Sequence, residues 1–244
     1  MKNIITKIQR LSIPAFAPSG AIKTVFFKLY LCRTELERAL ILSCLFSIGL
    51  TCLRIVYTKQ WFFVWLGWNL FLALVPYFLT NYTIRRPQWI ESNTRFALLF
   101  LLWLLFLPNS FYIITDLFHL QLRDGVPYWF DLALIFSFAW NGILLGAASI
   151  RQMEKLVTLK WPAIKEWQFV YPLMLLNAFG IYIGRYMRYN SWDVIANPFQ
   201  LTEDILYLLA HPVRNRFDWS MILCYAVFMS LIYLAIKRMS KALW

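Results

Sequence analysis

The side chains of this chain that are best suited to chemistry are acids, arginines and one histidine that border long apolar runs. Asp116 and His119 end one apolar run, Asp131 begins the next, and Arg185 and Arg188 follow a later one. Carboxylates and imidazole can transfer protons or hold a divalent metal. Two arginines three residues apart on a helix share a face and can bind a phosphate or a carboxylate together. These side chains therefore predict acid–base, metal or anion-binding chemistry.

The candidate residues divide by chemical role. The predicted catalytic residues are Asp116, His119 and Asp131. The residues predicted to bind substrate are Asn109, Arg185, Arg188, Asn190 and Asp193. The sequence specifies no cofactor, but a divalent metal suits the oxygen and imidazole donors of Asp116, His119, Asp131 and Asp193. Whether the chain is an enzyme stays open on these residues alone.

The elements that carry these residues are too apolar for a soluble domain. Of the 244 residues, 61% are hydrophobic and 15% are charged. A soluble domain typically carries about 25% charged residues, so a bilayer is the expected solvent. The four cysteines include no C-x-x-C pair, which argues against a zinc ribbon and a disulfide scaffold.

Six apolar segments are each about 20 residues long, which is the length a helix needs to cross a bilayer. They are residues 39–57, 61–82, 96–115, 129–150, 167–187 and 218–236. We therefore predict an all-α, polytopic membrane helix bundle with about six transmembrane helices in residues 39–244. Residues 1–38 are predicted to form a basic cytoplasmic or interfacial segment. The loop at about 194–216 is predicted to carry a short helix on the outer face, capped by Thr202.

The distribution of positive charge predicts the orientation of these helices. Of the 24 Lys and Arg residues, 17 lie on the side of the two termini and seven on the opposite side. The positive-inside rule then places both termini in the cytoplasm. The formal net charge of +12 faces the cytoplasm as a whole. Anionic lipid headgroups account for that excess, and nucleic acid is not an expected partner.

Three helices bring charged residues to the same depth. Counting about 1.5 Å per residue from the cytoplasmic ends of their helices places Asp116, Asp131 and Arg185 about 28–32 Å across the membrane. Charges at this depth are costly unless they pair, line a wet cavity or reach the interface. Two interpretations stay open: a polar site at the outer mouth of the bundle, or interfacial anchors of the kind common at the ends of membrane helices.

Around these residues the chain resembles a bacterial integral-membrane family catalogued as domain of unknown function 1361. The similar stretches are Leu107–Leu120, Trp129–Leu132, Gly184–Asp193 and the pair Asn197-Pro198. Where the family pattern continues with Ala-Pro after Leu-Pro-Asn, this chain has Ser-Phe, which leaves the backbone shape there open. The resemblance covers about residues 40–240. It implies a multi-helix bacterial inner-membrane protein with a functional outer cluster, and it supplies no activity.

Three functions remain possible on this basis. The first is an enzyme or binding protein for an anionic, lipid-linked or phosphate-bearing ligand at the outer leaflet. The second is a scaffold or assembly subunit that contacts other membrane proteins, favoured by 19% aromatic residues and by Gly-x-x-x-Gly motifs at 142–146 and 180–184. The third is a transporter or channel whose route would be lined by Asn69, Asn141 and Asn177. The lipid bilayer is a partner in all three.

Overall fold

The computed structural model describes residues 35–121 and 125–242. Within these ranges the chain forms helices and no strand, which confirms the all-α prediction. The helices are α1 Glu35–Thr58, α2 Val64–Ile84, α3 Pro87–Glu91, α4 Asn93–Tyr112, a 3₁₀ helix Ile113–His119, α5 Tyr128–Lys160, α6 Glu166–Arg185, α7 Asp193–Ala196, α8 Pro198–Ala210 and α9 Arg216–Ala242. Most of the predicted basic segment, residues 1–34, lies outside the described residues.

Five stretches in the described part of the chain are long and apolar enough to cross a membrane. They are Leu36–Thr58, Val64–Ile84, Asn93–His119, Tyr128–Lys160 and Arg216–Ser240. This indicates a membrane protein. The remaining predicted segment, 167–187, also forms a helix, the 20-residue α6. It is not among the five, because its mean hydropathy over 18 residues is lower than theirs, and it contains Gln168 and Asn177.

Two helix ends differ from the sequence prediction. Helix α5 continues to Lys160 instead of ending near residue 150, because the polar residues of its last turns pair with neighbouring helices. Helix α8 begins at Pro198, which suits the first turn because its ring fixes φ and it has no N–H to leave unpaired. The predicted cap at Thr202 was therefore wrong, since the Thr202 hydroxyl donates to the Pro198 carbonyl one turn earlier, at 2.7 Å.

The long helices alternate in direction, so the same end of the bundle collects the ends of α1, α4 and α6 and the starts of α2, α5 and α9. We refer to this as the Asp116 end and to the opposite end as the Glu154 end. Helix α5 lies at the centre and packs against α1, α2, α4 and the 3₁₀ helix. In the most apolar stretch of α5, 61% of the residues are buried. The corresponding share is 22% in α1 and in α9, which lie at the periphery.

The first Gly-x-x-x-Gly motif brings α5 against α4. A methyl group at Gly142 would lie 2.3 Å from the carbonyl oxygen of Ser110, and one at Gly146 would lie 2.6 Å from the Phe111 ring. The Ser110 hydroxyl also donates to the carbonyl of Ala73 on α2 at 3.0 Å. This turn of α4 is therefore in direct contact with α5 on one side and α2 on another.

The second motif brings α6 against the same part of α4. A methyl group at Gly180 would lie 2.4 Å from Cγ of Pro108, and one at Gly184 would lie 3.3 Å from the Tyr112 ring. Residues 108–112 are therefore enclosed by glycine faces of two helices. Since those faces have no side chains, the end of α6 and the 3₁₀ helix that follows α4 lie close together.

At the Glu154 end, a buried network of charges joins α5, α6 and α9. Glu154 accepts a hydrogen bond from Lys237 at 2.7 Å on one carboxylate oxygen and one from the Tyr233 hydroxyl on the other. Lys237 forms a second ion pair with Glu166, and Arg151 lies 3.3 Å from Glu154. The predicted span ended near residue 150, and no local sequence pattern connects Glu154 with Lys237 and Tyr233, 83 and 79 residues away.

We predict that Gly142→Ala destabilises the protein by about 1–3 kcal/mol, the usual range for overpacking a tight core. The methyl group would meet a backbone oxygen of α4, which cannot move without shifting that helix. Gly67→Ala is the matched control, because a methyl group there has nothing within 4 Å. Thermal unfolding of both variants in the same detergent measures the difference. Equal unfolding temperatures would contradict the packing described for α4 and α5.

Candidate functional site

Three of the predicted site residues meet at the guanidinium group of Arg185. One terminal nitrogen lies 3.7 Å from Oδ1 of Asp116. The other lies 3.3 Å from Nδ1 of His119. The guanidinium also lies 5.9 Å and 5.3 Å from the ring centres of Tyr112 and Phe118. These residues, together with Asn69, are called the Asp116–Arg185 cluster below.

The local backbone explains why Asp116 and His119 lie on the same face of the helix that follows α4. After Tyr112 the chain tightens into a 3₁₀ helix, and the Thr115 hydroxyl donates to the Tyr112 carbonyl at 2.7 Å. A 3₁₀ helix has about three residues per turn, so residues three apart lie above one another. Ile113, Asp116 and His119 are aligned in this way, with Ile113 fully buried at the inner end.

Asp116 is fully buried, and its two carboxylate oxygens differ in their contacts. Oδ2 accepts a hydrogen bond from the Asn69 amide at 2.9 Å. Oδ1 has no hydrogen-bond partner in the described part of the chain, and its nearest cation is Arg185 at 3.7 Å. A buried polar atom without a partner is rare and marks a position where function has to be considered. Asp116 therefore keeps one oxygen able to accept a further hydrogen bond.

Helix α2 forms the wall on the other side of the cluster. Its first two turns contribute Trp65 and Asn69, and the Trp65 ring lies 4.9 Å from the ring of His119. The histidine is half-buried between this tryptophan and Arg185. Sequence reasoning did not assign Trp65 to the site, because an aromatic residue at the start of a membrane helix is usually an interfacial anchor.

Asp131 lies in a different set of contacts. Its carboxylate accepts two hydrogen bonds from the Arg54 guanidinium, at 2.7 Å and 3.1 Å, and the two side chains are 3% and 1% exposed. Arg54 also lies 4.6 Å from the centre of the Phe63 ring. Both oxygens of Asp131 are occupied, so its contacts describe a buried ion pair between α1 and α5. They do not support the catalytic role predicted for Asp131.

The predicted binding residues after α6 mainly hold their own loop. The Asp193 carboxylate accepts hydrogen bonds from the backbone and side chain of Asn190, at 2.6 Å and 3.4 Å. Asn109 donates to the Ser191 hydroxyl at 3.0 Å, which joins the loop to α4. Arg188 is exposed, with a left-handed backbone at φ 62°. Asn109 and Asn190 line one cleft with Asn69 and Tyr112 of the cluster, and Asp193 holds Asn190 in place.

Helix α8 is attached to this loop by one hydrogen bond. The Tyr189 hydroxyl donates to the Asp204 carboxylate at 2.7 Å. This hydrogen bond, with some desolvation, raises the pKa of Tyr189 to about 12. The tyrosine therefore stays protonated and remains a donor at any physiological pH.

The four predicted metal ligands are not gathered in one place. Within residues 35–121 and 125–242, no group of three or more His, Cys, Asp or Glu side chains is arranged to hold a metal. Asp116 and His119 share the cluster, whereas Asp131 pairs with Arg54 and Asp193 pairs with Asn190. A common depth in the membrane does not fix lateral position, and these acids occupy different helix interfaces.

A cleft of about 380 Å³ opens between α2, α4 and α6 beside the cluster. Asn69, which donates to Asp116, lines this cleft. Tyr112, whose ring lies beside Arg185, also lines it. The cleft and the cluster therefore share a wall, and a molecule in the cleft would reach the residues that hold Asp116 and Arg185.

The three asparagines predicted to line a transport route bond in three different interfaces. Asn141 donates to Ser47 of α1 at 2.8 Å, and Asn177 donates to the sulfur of Met229 on α9 at 3.1 Å. Asn69 donates to Asp116. These contacts do not favour a transport route lined by all three asparagines.

The comparisons with known proteins agree with the motif resemblance. A family model described as "Protein of unknown function (DUF1361)" matches residues 68–233. The chain belongs to this family. The DUF1361 match includes every member of the Asp116–Arg185 cluster, whereas Arg54, the partner of Asp131, lies before it. Neither the curated proteins nor the solved structures contain a match to the chain.

We predict that Asp131→Ala destabilises the protein by about 3–5 kcal/mol, since it leaves the buried Arg54 charge uncompensated. Replacing both partners, with Arg54→Met and Asp131→Leu, should restore most of that stability, because no buried charge then remains. Thermal unfolding of the single and double variants measures both effects. A stable Asp131→Ala variant that loses biological activity would contradict the structural role and return Asp131 to the candidate catalytic residues.

Proposed function

We propose that this protein is a multi-pass bacterial inner-membrane protein that binds an anionic, lipid-linked ligand at the outer leaflet. The Asp116–Arg185 cluster would hold the polar head of that ligand. The observation that carries the proposal is the wall shared by the cluster and the cleft. A polar group with one cation and one carboxylate oxygen next to an apolar cleft suits an amphiphilic molecule.

The proposal includes six membrane spans, with α6 as the sixth, and both termini in the cytoplasm. The alternating directions of α1, α2, α4, α5, α6 and α9 support six crossings. The bias of 17 against seven Lys and Arg residues favours the Asp116 end as the outer one. Under this arrangement the cluster lies at the level of the outer headgroups, where an anionic ligand remains partly hydrated.

The contacts in the cluster suggest how a ligand head would be recognised. A phosphate or carboxylate would accept hydrogen bonds from Arg185, whose charge is only partly compensated by Asp116 at 3.7 Å. A hydroxyl or amine on the ligand would donate to Oδ1 of Asp116. The exposed Arg188 would add a second cation at the rim.

Asp116 differs from the other buried acids in a way that favours binding over a purely structural role. The carboxylates of Asp131 and Glu154 each accept hydrogen bonds on both oxygens from protein side chains. Asp116 accepts one on a single oxygen. Asp116 and His119 could also transfer a proton to or from a bound ligand, so binding can be extended to catalysis without further residues.

We predict that Arg185→Gln lowers the amount of co-purifying anionic lipid at least about tenfold, because truncating one member of a buried charge pair typically costs about 2–5 kcal/mol. Asp116→Asn should change which headgroups are retained, since it replaces a hydrogen-bond acceptor with an amide. Native mass spectrometry of protein released from membranes, followed by lipid extraction, measures both.

Arg214→Gln is the matched control for this experiment. Arg214 is exposed at the same end of the bundle, and its guanidinium lies 5.9 Å from the Tyr207 ring. The variant should therefore retain the same lipids as the unchanged protein. Equal lipid retention in folded Arg185→Gln and folded Arg214→Gln protein would contradict the proposal.

The topology is tested separately by cysteine labelling in a variant without the native cysteines. Val213, 83% exposed in the link before α9, should be labelled in intact cells by a membrane-impermeant thiol reagent after Val213→Cys. Lys165→Cys, in the link before α6, should be labelled only after lysis. The opposite pattern would place the cluster on the cytoplasmic side.

A further inference from the structure

The cleft beside the cluster is elongated along the helices. Its lining on α4 extends from Leu104 to Tyr112, and its lining on α6 extends from Leu176 to Gly184. Eight residues of helix rise about 12 Å, so the cleft is about 12 Å long and parallel to both helices. In a helix that crosses a bilayer, this direction is close to that of the lipid chains.

The polarity of the lining changes along this length. The polar lining residues towards the Asp116 end are Asn69, Asn109, Tyr112, Tyr189 and Asn190, and the Ser191 hydroxyl lies one turn further along α4, 3.4 Å from the Leu105 carbonyl. The lining away from that end is apolar and includes Leu72, Leu104, Leu176 and Phe179. The lining thus changes from polar to apolar over about 12 Å, in the same direction as a single leaflet changes from headgroup to hydrocarbon.

The cleft also opens sideways, onto the surface that would face lipid. Trp68 of α2 and Leu176 of α6 line the cleft, and they are 53% and 52% exposed. Gly180 packs directly on the Pro108 ring, and both residues line the cleft. Leu201 and Ile205 of α8 line the cleft from the loop side.

We propose that this cleft holds the aliphatic chain of an outer-leaflet lipid whose head lies at the Asp116–Arg185 cluster. The inference rests on the proposed function and names its ligand class as a membrane lipid with an anionic head. The chain would keep the direction it has in the bilayer and could enter from the side, so it would not have to cross water.

The test uses phosphatidylglycerol with a photoactivatable diazirine in the middle of one acyl chain, added to phosphatidylcholine vesicles that contain the full-length protein. After irradiation, mass spectrometry locates the cross-linked peptides. We expect them to concentrate in residues 104–108 and 176–184. An even distribution over the lipid-facing helices, including the exposed residues of α1, would overturn the inference.

A variant that fills the apolar part of the cleft sharpens the test. Leu176→Trp should reduce cross-linking within the cleft at least about fivefold, whereas Leu175→Trp should not. Leu175 is the matched control because it is the adjacent residue on α6, is 39% exposed, and does not line the cleft. Equal cross-linking in the two variants would overturn the inference.

A soluble headgroup probe separates this inference from the proposed function. Binding of glycerol 1-phosphate to the protein in detergent can be measured by NMR for the unchanged protein and for Arg185→Gln. If this binding depends on Arg185 while cross-linking does not concentrate in the cleft, the inference fails and the proposed function stands. Cross-linking could also concentrate in the cleft and fall in Leu176→Trp, while neither cross-linking nor glycerol 1-phosphate binding changes in Arg185→Gln. The site for the acyl chain is then supported, and the headgroup site at Arg185 is contradicted.

Discussion

The approach of α5 and α6 to residues Pro108–Tyr112 of α4 determines where the other parts of the molecule lie. Both contacts are made through glycine, at distances where a methyl group would collide with a backbone oxygen or a proline ring. Because α6 lies so close to α4, its last residue, Arg185, reaches the 3₁₀ helix that follows α4. The same contact places Pro108 and Gly180 together in the lining of the cleft. The cluster and the cleft are therefore two results of one packing arrangement.

The buried acids fall into two groups, those that pair fully within the protein and the one in the candidate site. At one end both oxygens of Asp131 accept hydrogen bonds from Arg54, and at the other end both oxygens of Glu154 accept hydrogen bonds, from Lys237 and Tyr233. Such pairs are costly to break and hold the peripheral helices α1 and α9 against the centre of the bundle. Asp116 retains an oxygen without a hydrogen bond and lies beside Arg185 and a half-buried histidine. Asp116 thus differs from Asp131 and Glu154, the acids of the two structural networks, in having one oxygen without a hydrogen bond.

The sequence predicted the features that depend on length and spacing along one helix. Apolar runs of about 20 residues located the six long helices, and depth along them placed Asp116, Asp131 and Arg185 at one level. Lateral position could not be obtained in this way, so Asp131 was grouped with Asp116 although it pairs with Arg54, 77 residues away in sequence. The extension of α5 beyond residue 150 was missed for a related reason. Its polar residues Glu154 and Lys160 contact Lys237 of α9 and the Ile90 carbonyl of α3, which no local pattern connects to them.

A structure of the protein in a lipid nanodisc containing phosphatidylglycerol, without added ligand, tests the central claim most directly. The account predicts elongated density in the cleft, extending from Asn109 towards Leu176. It also predicts that the head of this density lies within hydrogen-bond distance of Arg185 or Asp116. A structure in which Arg185 bonds directly to both Asp116 oxygens, while the cleft is closed by protein side chains, would contradict it. The cluster would then be one more structural ion pair of the bundle.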